Sequence, residues 1–153
     1  ESCSASLLDG HEIVYIARAA QRRVMSIALM PGSRLPAYCT SMGRVLLAAA
    51  GEETTLRLLK ASPLVARTEY TVTDIDTLMA EIAKVKERCF AAINQEVEMG
   101  LCSIAVPLKA ANGRTVAALN VGLAAGKASM EDIEQMFLPP LLRMQAELRQ
   151  SLI

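Results

Sequence analysis

The residues best suited to chemistry lie in a short polar run, Thr40-Ser41-Met42-Gly43-Arg44, which precedes the apolar stretch 45–50. Thr40 or Ser41 is a typical N-cap, and the stretch that follows favours a helix. A capping box would place Glu or Gln three residues after the cap, but Gly43 or Arg44 stands there, and Arg44 is expected to add a positive charge at the helix start. Such a helix start suits an anion, for instance a small carboxylate. The alternative is a buried helix whose small residues serve only its packing.

A second polar residue, Asn120, interrupts the apolar pattern of residues 116–121. A buried amide without a partner costs about 1–3 kcal/mol, so Asn120 should bind either protein or ligand. Because side chains alternate along a strand, Asn120 shares its face with Ala118 and Gly122. Their small size leaves room for a ligand. An Asn120 that faces outward would need no partner, and both interpretations stay open.

No combination of residues is typical of catalysis or of a metal site. The single histidine, His11, lies beside the Asp9-Gly10 turn signal, and the chain has no Ser/His/Asp set, paired carboxylates or phosphate-binding glycine loop. The cysteines show neither metal-type spacing nor a C-x-x-C motif, and we interpret them as reduced, small apolar residues. They are Cys3, Cys39, Cys89 and Cys102. We expect no enzyme activity, no metal and no cofactor.

Composition excludes further classes of protein. The 16 basic and 16 acidic residues balance, and aromatic residues make up 3% with no tryptophan, so the chain lacks the basic or stacking surface of a nucleic-acid binder. No apolar run is long enough to span a bilayer, and no signal peptide is visible. With 153 residues, 52% of them hydrophobic, we expect one cytoplasmic domain over residues 1–153.

Turn signals and apolar patterns predict the secondary structure. We predict strands at residues 2–8, 12–18, 24–30, 90–95, 102–109 and 115–123. Asp9-Gly10 and Asn112-Gly113 are hairpin signals between neighbouring strands. We predict helices at residues 41–50, 52–60 and about 73–88, and a last helix that begins at Ser129.

The last helix has a start signal and an internal interruption. Asp132 stands at the capping-box position after Ser129, and Pro139-Pro140 should break or kink the helix before it resumes at 141–152. Helices follow the third strand and the last strand, while the strands occur in hairpin order. This order predicts an α/β (α+β) fold with a six-stranded antiparallel sheet and helices packed against it.

Four segments together resemble the effector-binding domain of IclR-type bacterial transcription regulators. They are the Thr40–Ala48 segment, Glu96-Val97-Glu98-Met99-Gly100, Ile104-Ala105-Val106-Pro107 and Ala117-Ala118-Leu119-Asn120-Val121. Their order matches the family and the resemblance covers nearly the whole chain. Within the family, residues 35–48 look most like regulators of protocatechuate and related aromatic-acid catabolism, the β-ketoadipate pathway. Cys89 departs from the pattern, because the family usually has Gly there.

The resemblance implies a GAF-like or profilin-like fold with a pocket for a small carboxylate effector. The expected effector resembles protocatechuate, 4-hydroxybenzoate or β-ketoadipate. Carried over position by position, the family's pocket falls on Val24, Ile27, Thr40, Ser41, Met42, Ile93, Glu96, Ser103 and Asn120. Hydroxyl and amide groups of this set could hold a carboxylate, and its apolar members could form the walls.

The resemblance also implies the rest of a regulator. Because the sequence begins at Glu1, we expect it to be a fragment, with a winged helix-turn-helix DNA-binding domain upstream. The regulator would contact DNA only through that domain, would assemble as a dimer or tetramer, and would have no membrane partner. The alternative is a free-standing small-molecule-binding protein or an enzyme of similar fold. The reading frame upstream of Glu1 distinguishes the two.

Overall fold

The computed structural model describes residues 1–20 and 28–153. Its strands form a single antiparallel sheet in the order β3-β2-β1-β6-β5-β4. Their bounds are β1 Ser2–Asp9, β2 Glu12–Ala20, β3 Arg34–Pro36, β4 Ala91–Asn94, β5 Leu101–Lys109 and β6 Thr115–Ala124. Within these described residues there are four helices, α1 Ser41–Ala50, α2 Glu52–Ala61, α3 Ile75–Arg88 and α4 Met130–Leu148. The predicted six-stranded antiparallel sheet with packed helices is confirmed.

The third strand is not where the sequence pattern placed it. Of the predicted strand 24–30, residues 24–27 lie outside the described residues, and residues 28–30 are not in a strand. The observed third strand, β3, is three residues long and pairs with the start of β2, with Ile13 opposite Leu35. This short segment, which contains the charged Arg34, forms a strand because it pairs with β2, and its own residue pattern does not predict one.

Each face of the sheet packs against different helices. We call the face that carries Ala105 and Ala118 the inner face; it packs against α1, with α2 and α3 behind it. The opposite, outer face carries Ile104 and Leu119 and is covered by α4. The chain thus forms two apolar layers on a shared sheet, as expected for elements with one apolar face each.

Helix α4 runs without interruption through Pro139 and Pro140, so the predicted break does not occur. Two prolines remove two intrahelical hydrogen bonds. Ile133 and Leu141, one on each side of the prolines, pack in the apolar layer on the outer face. The predicted capping box at Ser129 and Asp132 is confirmed, since each side chain accepts a hydrogen bond from the other residue's backbone N–H.

The departure at Cys89 occupies a special backbone conformation. Cys89 ends α3 with φ 65° and ψ 26°, in the left-handed region, and its N–H donates to the Val85 carbonyl. Glycine adopts this conformation without the steric penalty that a Cβ brings. The glycine usual in the family therefore fits the helix end, and Cys89 keeps the same geometry at a cost.

Candidate ligand-binding site

Small side chains cover the centre of the inner face. Along β1 these are Ser2, Ser4 and Ser6, and all three are buried. Across the sheet, Ser2 pairs with Gly122 and Ser4 pairs with Asn120. Directly opposed residues on neighbouring strands point to the same side of the sheet. The middle of this face is therefore polar, and its short side chains leave space above the sheet. Bulkier side chains would fill the space between the sheet and α1.

The start of α1 lies directly above this shallow region. The Ser103 hydroxyl on β5 donates to the Ser41 hydroxyl at 2.8 Å. The Ser6 hydroxyl on β1 donates to the Met42 sulfur at 3.2 Å. These contacts bring the first turn of α1 against both halves of the sheet.

Thr40 is the N-cap of α1. Its side chain accepts from the Gly43 N–H at 3.1 Å and donates to the Pro36 carbonyl at 2.9 Å. A helix leaves its first N–H groups without intrahelical acceptors. Thr40 satisfies one of them, the N–H of Gly43. Ser41 and Met42, whose N–H groups belong to the same first turn, line the cavity described next.

A cavity lies between the helix start and the sheet, with a volume of ≈ 420 Å³ including the open space at its mouth. Five residues predicted from the sequence line it: Thr40, Ser41, Met42, Ser103 and Asn120. The structure adds others that the sequence analysis did not name: Ser2, Tyr15, Arg18, Leu35, Val97, Leu101 and Gly122. Polar groups therefore converge on a partly apolar hollow, as in small-molecule sites.

Arg18 brings a positive charge to this cavity. It lies opposite Ser4 in the sheet, is partly buried, and donates from Nη1 to the Ser4 hydroxyl at 3.2 Å. No carboxylate lies within ion-pair distance of Arg18 in residues 1–20 and 28–153, and the seven residues between these ranges include no Asp or Glu. The guanidinium can therefore receive an acidic ligand.

Tyr15 forms another wall of the cavity and is buried. Burial raises the pKa of its phenol from the usual 10.0 to about 12, although the charge of Arg18 opposes part of this effect. Tyr15 is accordingly neutral near pH 7. It can offer a hydroxyl to a ligand without adding negative charge.

Asn120 lines the cavity and has an unsatisfied oxygen. The residue is 8% exposed, and its Oδ1 is buried without a hydrogen-bond partner. It is the only buried side-chain oxygen or nitrogen in this state within the described parts of the chain. A buried acceptor left in this condition destabilises the fold unless a donor enters from elsewhere.

Arg44 and Glu96 form an ion pair beside the cavity and do not line it. The Arg44 guanidinium donates to Glu96 at 2.7 Å and to the Tyr38 carbonyl at 3.0 Å. Glu96 also accepts from the Val72 N–H at 3.1 Å. The expectation that Arg44 adds a positive charge for an anion at the helix start is thus wrong, because Glu96 neutralises it.

Three predicted pocket residues remain, and the structure describes one of them, Ile93. Ile93 on β4 is buried opposite Ser103 and therefore faces the inner side, but it does not line the cavity. Val24 and Ile27 lie outside the described residues. One signal could have found the serines of β1: they alternate with Cys3, Ala5 and Leu7, which marks a strand with one polar face.

Two further hollows lie along α3, one against α1 and the sheet and one against α2, and neither has a comparable convergence of polar groups. In the described ranges, no three or more His, Cys, Asp or Glu residues gather where they could hold a metal ion. No helix there is long and apolar enough to cross a membrane.

Comparison with known proteins identifies the family. The family model of the C-terminal region of the bacterial transcriptional regulator IclR matches residues 1–148. The Pca regulon regulatory protein of Pseudomonas putida is 44% identical over 149 residues, which cover 97% of this chain and 51% of that protein. The p-hydroxybenzoate hydroxylase transcriptional activator of Acinetobacter baylyi is 33% identical over 95% of this chain and 56% of its own length.

A solved structure agrees with these relatives. The double mutant of the inducer-binding domain of the PobR transcription factor from Acinetobacter, in complex with 3-hydroxybenzoic acid, superposes with a TM-score of 0.91 at 32% identity. The match covers 99% of this chain and 89% of that one. These relatives are transcriptional regulators and not enzymes, and this chain spans about half the length of the curated ones. The chain therefore belongs to the IclR family of bacterial transcriptional regulators, as its C-terminal effector-binding domain.

Proposed function

We propose that this domain senses a small carboxylate from aromatic-acid catabolism and thereby controls DNA binding or transcription by a longer regulator. The observation that carries the proposal is the cavity between α1 and the sheet, in which Arg18 has no acidic partner within the described ranges. The relatives support the metabolic setting, since they include a Pca regulon regulator and a domain bound to 3-hydroxybenzoic acid.

The cavity offers a carboxylate favourable electrostatics from two sides. Arg18 stands on β2, and the amides of Ser41 and Met42 stand at the positive end of the α1 dipole. The hydroxyls of Ser41 and Ser103 add hydrogen bonds. Leu35, Val97 and Leu101 supply apolar contact for the body of the ligand. Protocatechuate, 4-hydroxybenzoate and β-ketoadipate are the candidate effectors.

The longer regulator would combine this domain with an N-terminal winged helix-turn-helix domain, and it would contact DNA only through the latter. A reader of palindromic DNA sites needs two such domains, so we propose a homodimer or tetramer in the cytoplasm. Ligand binding changes operator affinity only if the ligand binds the two states of the regulator with different affinities.

A thermal-shift panel of aromatic and short aliphatic acids tests the binding step. A ligand at one hundred times its Kd stabilises the fold by about 2.7 kcal/mol, which raises Tm by roughly 5–10 °C for a domain of this size. Operator affinity of the full-length protein, measured with and without the best acid at fixed salt, tests the regulatory step. A panel in which no carboxylate shifts Tm contradicts the proposal. Equal operator affinities and equal transcription with and without a bound acid contradict its regulatory part.

A further inference from the structure

We propose that Asn120 selects an effector that carries a hydroxyl group in addition to its carboxylate. This inference rests on the proposed function and concerns the chemistry of the ligand in the same cavity. Its starting point is the Asn120 Oδ1 atom, which is buried and has no donor in the described parts of the chain. A carbonyl oxygen accepts hydrogen bonds and cannot donate them. The missing partner is therefore a donor.

The position of Asn120 makes the ligand a suitable source of that donor. Asn120 pairs with Ser4 on one side and with Ala105 on the other. Ser4 already receives a hydrogen bond from Arg18, and Ala105 has no polar side chain. The adjacent positions on the same face of β6 are Ala118 and Gly122, which bring no side-chain donor either. The cavity is the remaining open direction.

Arg18 and Asn120 occupy one row across three strands. Arg18 pairs with Ser4, and Ser4 pairs with Asn120. With strands about 4.8 Å apart, the two outer Cα atoms are separated by about 10 Å. The Arg18 guanidinium reaches inward over Ser4, so the charged group and the amide oxygen lie within the span of one small molecule. A carboxylate at Arg18 and a hydroxyl at Asn120 thus fit one ligand.

The same row disfavours ligands without a donor. A keto or fluoro group at this place presents a second acceptor to Oδ1, and the buried oxygen stays unsatisfied. Sites built to bind a hydroxyl reject analogues that lack it, because their own polar groups are then left without partners. Hydroxybenzoates are favoured over benzoate, and among the three candidate effectors protocatechuate and 4-hydroxybenzoate are favoured over β-ketoadipate.

Matched ligand pairs test the inference by calorimetric titration of the wild-type domain. The pairs are 4-hydroxybenzoate with 4-fluorobenzoate and protocatechuate with 3,4-difluorobenzoate; fluorine is close to a hydroxyl in size but does not donate. We expect at least one hydroxy acid to bind about tenfold or more tightly than its fluoro partner. In the Asn120→Leu variant, once shown to fold by its cooperative unfolding, this preference should fall to within about twofold.

The outcomes separate the two proposals. If the hydroxy and fluoro acids bind wild type equally, or if β-ketoadipate binds more tightly than both hydroxy acids, the hydroxyl selection is wrong while carboxylate sensing stands. A preference that survives in Asn120→Leu also overturns the role of Asn120. If none of these acids binds, the proposed function fails and this inference fails with it. Asn112→Leu, in the exposed β5–β6 turn, is the control that should keep the wild-type preference.

Discussion

Arg44 and Glu96 form an ion pair of 2.7 Å in the interior, and their side chains are only 5% and 10% exposed. The pair joins the first turn of α1 to the connection between β4 and β5. Removing one partner of a buried pair leaves the other charge without compensation. We expect Arg44→Met to lower the free energy of unfolding by about 3–5 kcal/mol in urea denaturation. Lys84→Met, which breaks the exposed pair with Glu81, should cost less than about 1 kcal/mol. Equal losses would contradict the interior role of Arg44.

Gly43 allows α1 to begin against the segment before it. A Cβ at this position would collide with the Ala37 backbone and the Thr40 side chain. Because the backbone has little room to move, Gly43→Ala should abolish the cooperative thermal transition or lower Tm strongly. Gly122→Ala is the matched variant, since its Cβ would meet mainly the Ser2 hydroxyl at 3.1 Å. It should fold, but the smaller cavity should weaken binding of the best acid. Normal stability of Gly43→Ala would contradict the close approach.

Cys89 retains a conformation that glycine adopts more easily. We expect Cys89→Gly to stabilise the domain by about 1 kcal/mol, because the left-handed backbone of an L-residue costs about that much. Cys89→Ala keeps the Cβ and should therefore bring no such gain. Urea denaturation of the three proteins measures the difference. A variant Cys89→Gly that is no more stable than Cys89→Ala would show that the helix end carries no strain.

Tyr15 makes stability fall at high pH. Unfolded tyrosine ionises near pH 10, whereas burial raises the folded-state pKa of Tyr15 to about 12. Between these values the unfolded state binds fewer protons, so stability is full below pH 10 and decreases as pH rises. The total effect is about 2–3 kcal/mol. Tyr15→Phe should flatten this decrease in denaturant titrations between pH 9.5 and 11.5, whereas exposed Tyr70→Phe should not. Part of the decrease in stability with pH should remain in Tyr15→Phe, because burial also raises the pKa of Cys39 to about 11.

Arg18 should decide whether the domain recognises the carboxylate. We expect Arg18→Gln to weaken binding of 4-hydroxybenzoate about tenfold or more, because a charged hydrogen bond contributes about 1.5–3 kcal/mol. Arg57→Gln removes the same charge from the exposed surface of α2 and should leave the affinity unchanged. Ser41→Asp places a negative charge at the helix start and should also abolish binding. Calorimetry of the three variants measures these effects. If Arg18→Gln binds like Arg57→Gln, the carboxylate lies elsewhere.

The parts of the fold that follow from local chemistry were predictable. Gly10 and Gly113 both adopt positive φ in the turns that their dipeptides predicted. The capping residues Thr40 and Ser129 begin their helices as expected. The third strand was not predictable, because β3 exists only through its pairing with β2. Nor does local sequence show that α4, which packs against the sheet, continues through Pro139-Pro140.

The candidate site was predictable where residues act singly and not where they act in pairs. Ser41 and Ser103, which the family resemblance placed in the pocket one by one, both line the cavity. The Arg44 charge looked available because Glu96, its partner, stands 52 residues away in the sequence. Arg18 was missed because it looks like a solvated strand residue, and only the pairing of β1 with β2 brings it over Ser4.

The pairing of β1 with β6 gives the cavity a particular place in the folding process. Hairpins β1–β2 and β5–β6 close short loops and can form early. The Ser4–Asn120 contact joins them and closes a loop of more than one hundred residues, which is slow. A ligand at this seam meets its site only after the two halves have joined. It should therefore lengthen the lifetime of the folded domain by slowing unfolding, and leave the folding rate almost unchanged.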